Sequence, residues 1–195
     1  MRRFLRWLAA AVASVLALLA VGTWLIVHDE VSRLRSISAK SPPLNPLMRD
    51  AIVAADGIRS TSPTAWVLVR FMSPHHRPLR RLFETALTTF VVSRLFEPEE
   101  LLRMYAHEAY LGTIEHRQIL SVESASQVYF RKPADALTTA EAALLAGMIR
   151  SPNIYSPVRN PDRAIERRNV VLKRMHEMGF IDQGEFQRAV NEPLR

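Results

Sequence analysis

Between Trp7 and Val27 the chain carries 21 consecutive residues without a formal charge. At about 1.5 Å per helical residue such a run spans roughly the 30 Å hydrocarbon core of a bilayer. The pattern predicts a membrane-spanning helix. Arg2, Arg3 and Arg6 precede it, and His28, Asp29 and Glu30 follow. The positive-inside bias then keeps the N-terminus cytoplasmic and puts the remaining chain on the outer face. A cleaved signal peptide would end a shorter apolar stretch in a small-x-small site. Leu25, Ile26 and Val27 occupy that place, so an uncleaved anchor is expected.

Beyond the anchor the apolar positions recur at helical spacing. A linker is expected over 31–46, ending in the proline-rich stretch Ser41 to Pro46. Leu47 to Ala55 reads as a short helix terminated by Asp56 and Gly57. Leu79 to Phe96 places Leu82, Phe83, Ala86, Leu87, Phe90 and Val91 on one face, and Pro98 can open a helix running to Tyr110. Thr138 with Glu141 forms a capping box before the apolar run Ala142 to Ile149. Asn160 and Pro161 start a long helix that Gly179 ends, and Asp182 with Glu185 caps a last one. Trp66 to Phe71 can be typed as a strand, but no run alternates convincingly with period two. The expected fold class is all-α: a transmembrane helix over 1–30, the linker over 31–46 and one domain over 47–195.

Length and composition agree with one compact domain behind one anchor, since the chain has 195 residues of which 48% are hydrophobic. The absence of cysteine removes thiol nucleophiles and thiolate metal sites. The net charge of +7 points to an anionic partner. Only Arg2, Arg3 and Arg6 of the 26 basic residues lie before residue 31, so the basic character belongs to the exported part. Nucleic acid is not expected, because the chain faces away from the cytoplasm and has no aromatic-interleaved basic stripe.

Few motifs carry chemistry. There is no phosphate-cradling glycine loop, no His-Glu-x-x-His helix and no nucleophile elbow. His75 and His76 adjoin in a proline-flanked stretch and read as a solvated loop. Glu84 lies four residues after Arg80 and three after Arg81, which puts guanidinium and carboxylate on one helical face. Tyr105, Tyr110, Tyr129 and Phe130 read as core. Glu123 and Gln127 read as a structural pair, and Arg167, Arg168 and Asn169 either brace the fold or approach a cleft.

Read in order, these pieces resemble the peptidoglycan glycosyltransferases, glycosyltransferase family 51, a truncated copy of whose lysozyme-like domain is expected over 47–195. The stretch "EELLRMYAHEAYLG" is similar to the family helix ending in Tyr-Leu-Asn. The segment "SVESASQVYFRKPADALTTAEAALLAGMIRSPNIYSPVRNP" resembles the part that follows, and "ERRNVVLKRMHEMGFI" its closing motif. "SPHHRPLRRLFETAL" resembles the motif in which an Arg-Lys pair precedes a glutamate, and "LMRDAIVAADGIR" the helix bearing the first active-site glutamate.

The resemblance implies glycan-strand synthesis at the outer face of the bacterial inner membrane. Lipid II units are joined by attack of an acceptor hydroxyl on a donor whose leaving group is a lipid pyrophosphate. Asp56 corresponds to the catalytic base, Glu84 to the pyrophosphate-side carboxylate, and Arg80 and Arg81 to the basic residues beside it. The implied partners are lipid II or undecaprenyl pyrophosphate, the inner membrane and other cell-wall synthesis proteins. No metal ligand set is assigned, although Mg2+ can assist the leaving group in relatives. Four departures stand out. Asp56 and Gly57 replace a Glu-Asp pair, the second motif survives only as Ser60 and Thr61, the segment between the first two motifs is missing, and Arg103 and His107 replace a glutamate and an asparagine. A reduced enzyme and a binding protein that has lost turnover are the two expectations.

Overall fold

The computed structural model describes residues 28–56 and 89–194, with Trp7, Ser14, Val21, Gly22 and Trp24 ahead of them. The rest of the expected anchor, the Trp66 to Phe71 strand, His75, His76, Arg80, Arg81 and Glu84 lie outside the described residues. Among the described residues no helix is long and apolar enough to cross a membrane.

Six α-helices, a short 3-10 helix (Ala134–Ala136) and one hairpin, each delimited at both ends among the described residues, build the domain: α1 (Pro46–Asp56), α2 (Pro98–Glu108), β1 (Tyr110–Ile114), β2 (Arg117–Leu120), α3 (Val122–Phe130), α4 (Thr139–Ile149), α5 (Pro161–Glu177) and α6 (Gln183–Asn191). Residues 28–40 and 89–95 are also helical. The organising element is α4. From Ala140 to Ile149 every residue except Glu141 is buried, because the helix is apolar all round and α1 and α5 pack against it. Its alanines and Gly147 let the neighbouring helices approach closely.

The capping residues behave as their spacing requires. Thr138 accepts from the Glu141 amide while the Glu141 carboxylate accepts from the Thr138 amide at 2.7 Å, a complete capping box. The Thr138 hydroxyl also donates to Glu192 beyond α6 at 2.8 Å, which ties the C-terminal helix to the start of α4. Thr138→Ala should therefore cost about 1 kcal/mol or slightly more. Chemical denaturation would show this as a lower midpoint at unchanged slope, and an unchanged midpoint would remove the cap from the account. At the other end of α5, Gly179 adopts φ +76°, the left-handed stop.

Two sequence expectations need correction. The domain is not purely helical. The helix expected to reach Tyr110 stops at Glu108, and β1 and β2 pair antiparallel, Thr113 opposite Gln118 and Ile114 opposite Arg117. Glu115 and His116 at the turn both have positive φ, 48° and 66°, the geometry of a tight two-residue hairpin. A register shift between Tyr110 and Thr113 interrupts the alternation that would have advertised β1. Gly112, φ +122°, sits where a Cβ would meet the Tyr129 hydroxyl at 2.9 Å, and that hydroxyl donates to the Leu111 carbonyl. The expected linker is likewise without regular structure only over 41–45. Residues 28–40 are helical, with Val31 and Leu34 buried and Ser38 bonded to Glu100. The apolar spacing Val31, Leu34, Ile37 was a helix signal hidden among charges.

Candidate functional site

The sequence PLMRDAIVAAD buries Met48, Ala51, Ile52, Ala54 and Ala55, a helical face turned to α4 and α5. That packing sets the C-terminus of α1, where Asp56 is the last helical residue and not the terminator outside it. A carboxylate at this end of a helix meets the negative pole of the macrodipole, so its placement works against stability. Residues placed against local preference concentrate at functional sites.

Two arginines one heptad apart on α5 reach across to this end. Arg167 Nη2 donates to the Ala55 carbonyl at 3.0 Å and Arg167 Nε to Gly147 at 3.3 Å. Arg174 Nη1 donates to Ala55 at 3.0 Å and to Ala54 at 3.3 Å. Two of the orphan carbonyls of α1, those of Ala54 and Ala55, are thereby satisfied and cationic charge is brought to the negative pole. Arg167 also stacks on Tyr155, its Cζ 5.7 Å from the ring centroid. Burial, and then the neighbouring Arg174 and Arg150, lower its pKa, although a guanidinium stays charged.

Asp56 is half-buried. Burial is the largest influence and raises the Asp56 pKa above 3.8. The Tyr105 hydrogen bond and the charges of Arg167, Arg150 and Arg174 pull the other way, in that order. Tyr105 is itself 4% exposed, and burial with the Asp56 charge pushes its phenol far up, so it stays a donor. The arrangement can accept a proton at Asp56 while presenting cationic groups beside it. It suits a divalent cation poorly: one carboxylate faces three guanidinium groups, and among the described residues no three His, Asp or Glu side chains gather.

Of the residues expected in the site, Asp56 ends α1, the helix end whose carbonyls Arg167 and Arg174 bond. Arg80, Arg81 and Glu84 lie outside the described residues. Tyr105 does pack in the core, as expected. Arg167 braces the fold through the Ala55 and Gly147 carbonyls, and Arg168 braces it by donating to the Glu192 and Val190 carbonyls at 2.7 and 2.9 Å. Glu123 and Gln127 make the structural contact at 3.3 Å. Arg103 and His107 turn away from Asp56. They line a cavity of about 580 Å³ at the other end of α1, with Pro42, Leu44, Met48 and Glu123.

Gly147 keeps this frame in place. A Cβ there would lie 2.9 Å from Arg167 Cγ and 3.4 Å from Val171. Gly147→Ala should push the Arg167 stem off its two carbonyls and uncover Asp56. The expected readout is a lower melting temperature together with faster carbodiimide modification of Asp56, and an unchanged modification rate would separate Gly147 from the site.

A transglycosylase family model matches residues 64–176. Penicillin-binding protein 1A of Pseudomonas aeruginosa is 37% identical over 131 residues, covering 67% of this chain and 16% of that protein. A putative transglycosylase of Cupriavidus necator is 38% identical over 116 residues, covering 60% of this chain and 48% of the relative. In structure the chain is similar to the crystal structure of penicillin-binding protein 1A from Haemophilus influenzae, with TM-score 0.50 and 25% identity over 80% of this chain and 17% of that one. The chain thus spans about half the length of the Cupriavidus relative and about a sixth of the penicillin-binding proteins.

Proposed function

Since the chain belongs to the transglycosylase family, we propose that it is a membrane-anchored peptidoglycan glycosyltransferase acting on lipid II with a reduced catalytic site. The observation that carries the proposal is Asp56, held half-buried at the end of α1 beside Tyr105, Arg150, Arg167 and Arg174. The reaction needs a base on the attacking hydroxyl and cations near the departing diphosphate. In the proposed step the acceptor sugar oxygen forms its bond to the donor's anomeric carbon as its proton passes to the Asp56 carboxylate. The bond from that carbon to the lipid pyrophosphate breaks, and the leaving group takes the electron pair. Arg80, Arg81 and Glu84 are proposed at the pyrophosphate. A base whose pKa is raised toward the working pH transfers protons more effectively. The apolar run 7–27 supports a single-pass anchor in the inner membrane, with the domain on the outer face.

One observation favours a second reading. The second family motif survives only as Ser60 and Thr61, which would leave a domain that binds lipid II without turning it over. Full-length protein in detergent, given labelled lipid II and magnesium beside the Glu84→Gln variant, decides between the two. Glycan product that the variant loses supports the enzyme. Saturable lipid II binding with no product from folded protein supports the binding domain.

A further inference from the structure

The last turn of α1 runs to Asp56 and leaves the carbonyls of Val53, Ala54, Ala55 and Asp56 without partners inside the helix. Two of them are taken up from α5. Arg174 Nη1 donates to both Ala54 and Ala55, at 3.3 and 3.0 Å, and Arg167 Nη2 meets the Ala55 oxygen at 3.0 Å. A carbonyl oxygen has two lone pairs, so guanidinium donors fill the Ala55 oxygen. That oxygen belongs to the peptide joining Ala55 to Asp56. The peptide is planar, so holding its oxygen fixes the plane that carries the Asp56 nitrogen and Cα. One bond would leave the peptide free to pivot about it, and two do not. The second is made although the two guanidinium groups repel each other. The support behind them is firm. Arg167, Val171 and Arg174 follow at i, i+4 and i+7 on one face of α5. Val171 is fully buried between them and packs toward Gly147, whose carbonyl accepts from Arg167 Nε at 3.3 Å.

We infer that Arg174 is a positioning residue for Asp56: with Arg167 it clamps the Ala55–Asp56 peptide and so sets where the carboxylate stands toward the acceptor hydroxyl. The inference rests on the proposal that Asp56 is the base. The role is one of geometry. A planar guanidinium holds two neighbouring carbonyls at once, which the ammonium of a lysine, on a flexible stem, does not reproduce at equal charge. The clamp also has a consequence that does not depend on turnover. Without Arg174 the end of α1 keeps only the Arg167 bond, so its last turn opens more often.

Arg174→Lys keeps the charge and most of the half-buried stem and deletes the fork, whereas Arg174→Gln deletes the charge as well. In full-length protein in detergent, hydrogen exchange read by mass spectrometry over residues 50–56 should run roughly tenfold faster in both variants, with exchange in α6 unchanged. With labelled lipid II, Arg174→Lys should lower kcat on the order of tenfold at unchanged KM and leave the acid limb of the pH profile in place. Arg174→Gln should lower kcat and also move the acid limb upward, because a charge that favours the ionised Asp56 is gone. Wild-type exchange over 50–56 would overturn the clamp whatever the turnover, and exchange that quickens throughout the domain would overturn its local character. A lysine variant with wild-type kcat, or one that raises KM alone, would overturn the positioning role. Faster local exchange in a protein that makes no glycan would sustain the clamp and overturn Asp56 as a working base.

Discussion

Under the proposed function, Asp56→Asn is expected to abolish glycan synthesis while leaving the protein at least as stable as the wild type at pH 7. The loss of activity follows from removing the proton acceptor, an effect of about a hundredfold or more. The stability follows from burial, the largest influence on Asp56, which raises its pKa above the ordinary 3.8. The folded state therefore binds this proton more tightly than the unfolded chain does. Stability contributed by the group is full below about pH 4 and declines as pH rises through the window between 3.8 and the raised folded value. At neutral pH the ionised carboxylate is a net cost, and it also opposes the α1 dipole. Asparagine removes that cost. The melting temperature should rise by roughly 2 °C at pH 7 and match the wild type near pH 3.5. A variant that still polymerises would remove Asp56 from the mechanism. One that melts well below the wild type at pH 7 would show the carboxylate to be structural.

Leu145→Ala should give the largest loss of stability of any change considered. Leu145 is fully buried near the middle of α4, the helix against which both α1 and α5 pack. Truncation removes three buried carbons and leaves a cavity that surrounding helices cannot close, a loss of about 3 kcal/mol. For a domain of this size that corresponds to a fall in melting temperature of roughly 6–12 °C. The effect should extend to the site, because α4 sets the spacing of the helix that carries Asp56 from the helix that carries Arg167 and Arg174. Calorimetry of the full-length protein checks the first part, and the Asp56 modification rate checks the second. A fall below about 2 °C would mean that α4 is not the centre of the core.

Signals confined to a few residues were sufficient wherever the structure itself is local. The capping box of Thr138 and Glu141, the cap of Asp182 on Glu185 and the Gly179 stop each form within four residues, so spacing alone announces them. The hairpin over 110–120 was illegible because its alternation is broken by a register shift and its turn relies on positive φ at Glu115 and His116, neither of them glycine. The surroundings of Asp56 were illegible for another reason. Tyr105 carries the spacing of a core residue, and only its hydroxyl distinguishes it. Arg167 and Arg174 bond carbonyls 112 to 120 residues away. No periodicity encodes a contact at that separation. It exists because α4 buries both neighbouring helices at once, bringing the end of α1 and one face of α5 to the same place, and that is a property of the packed core.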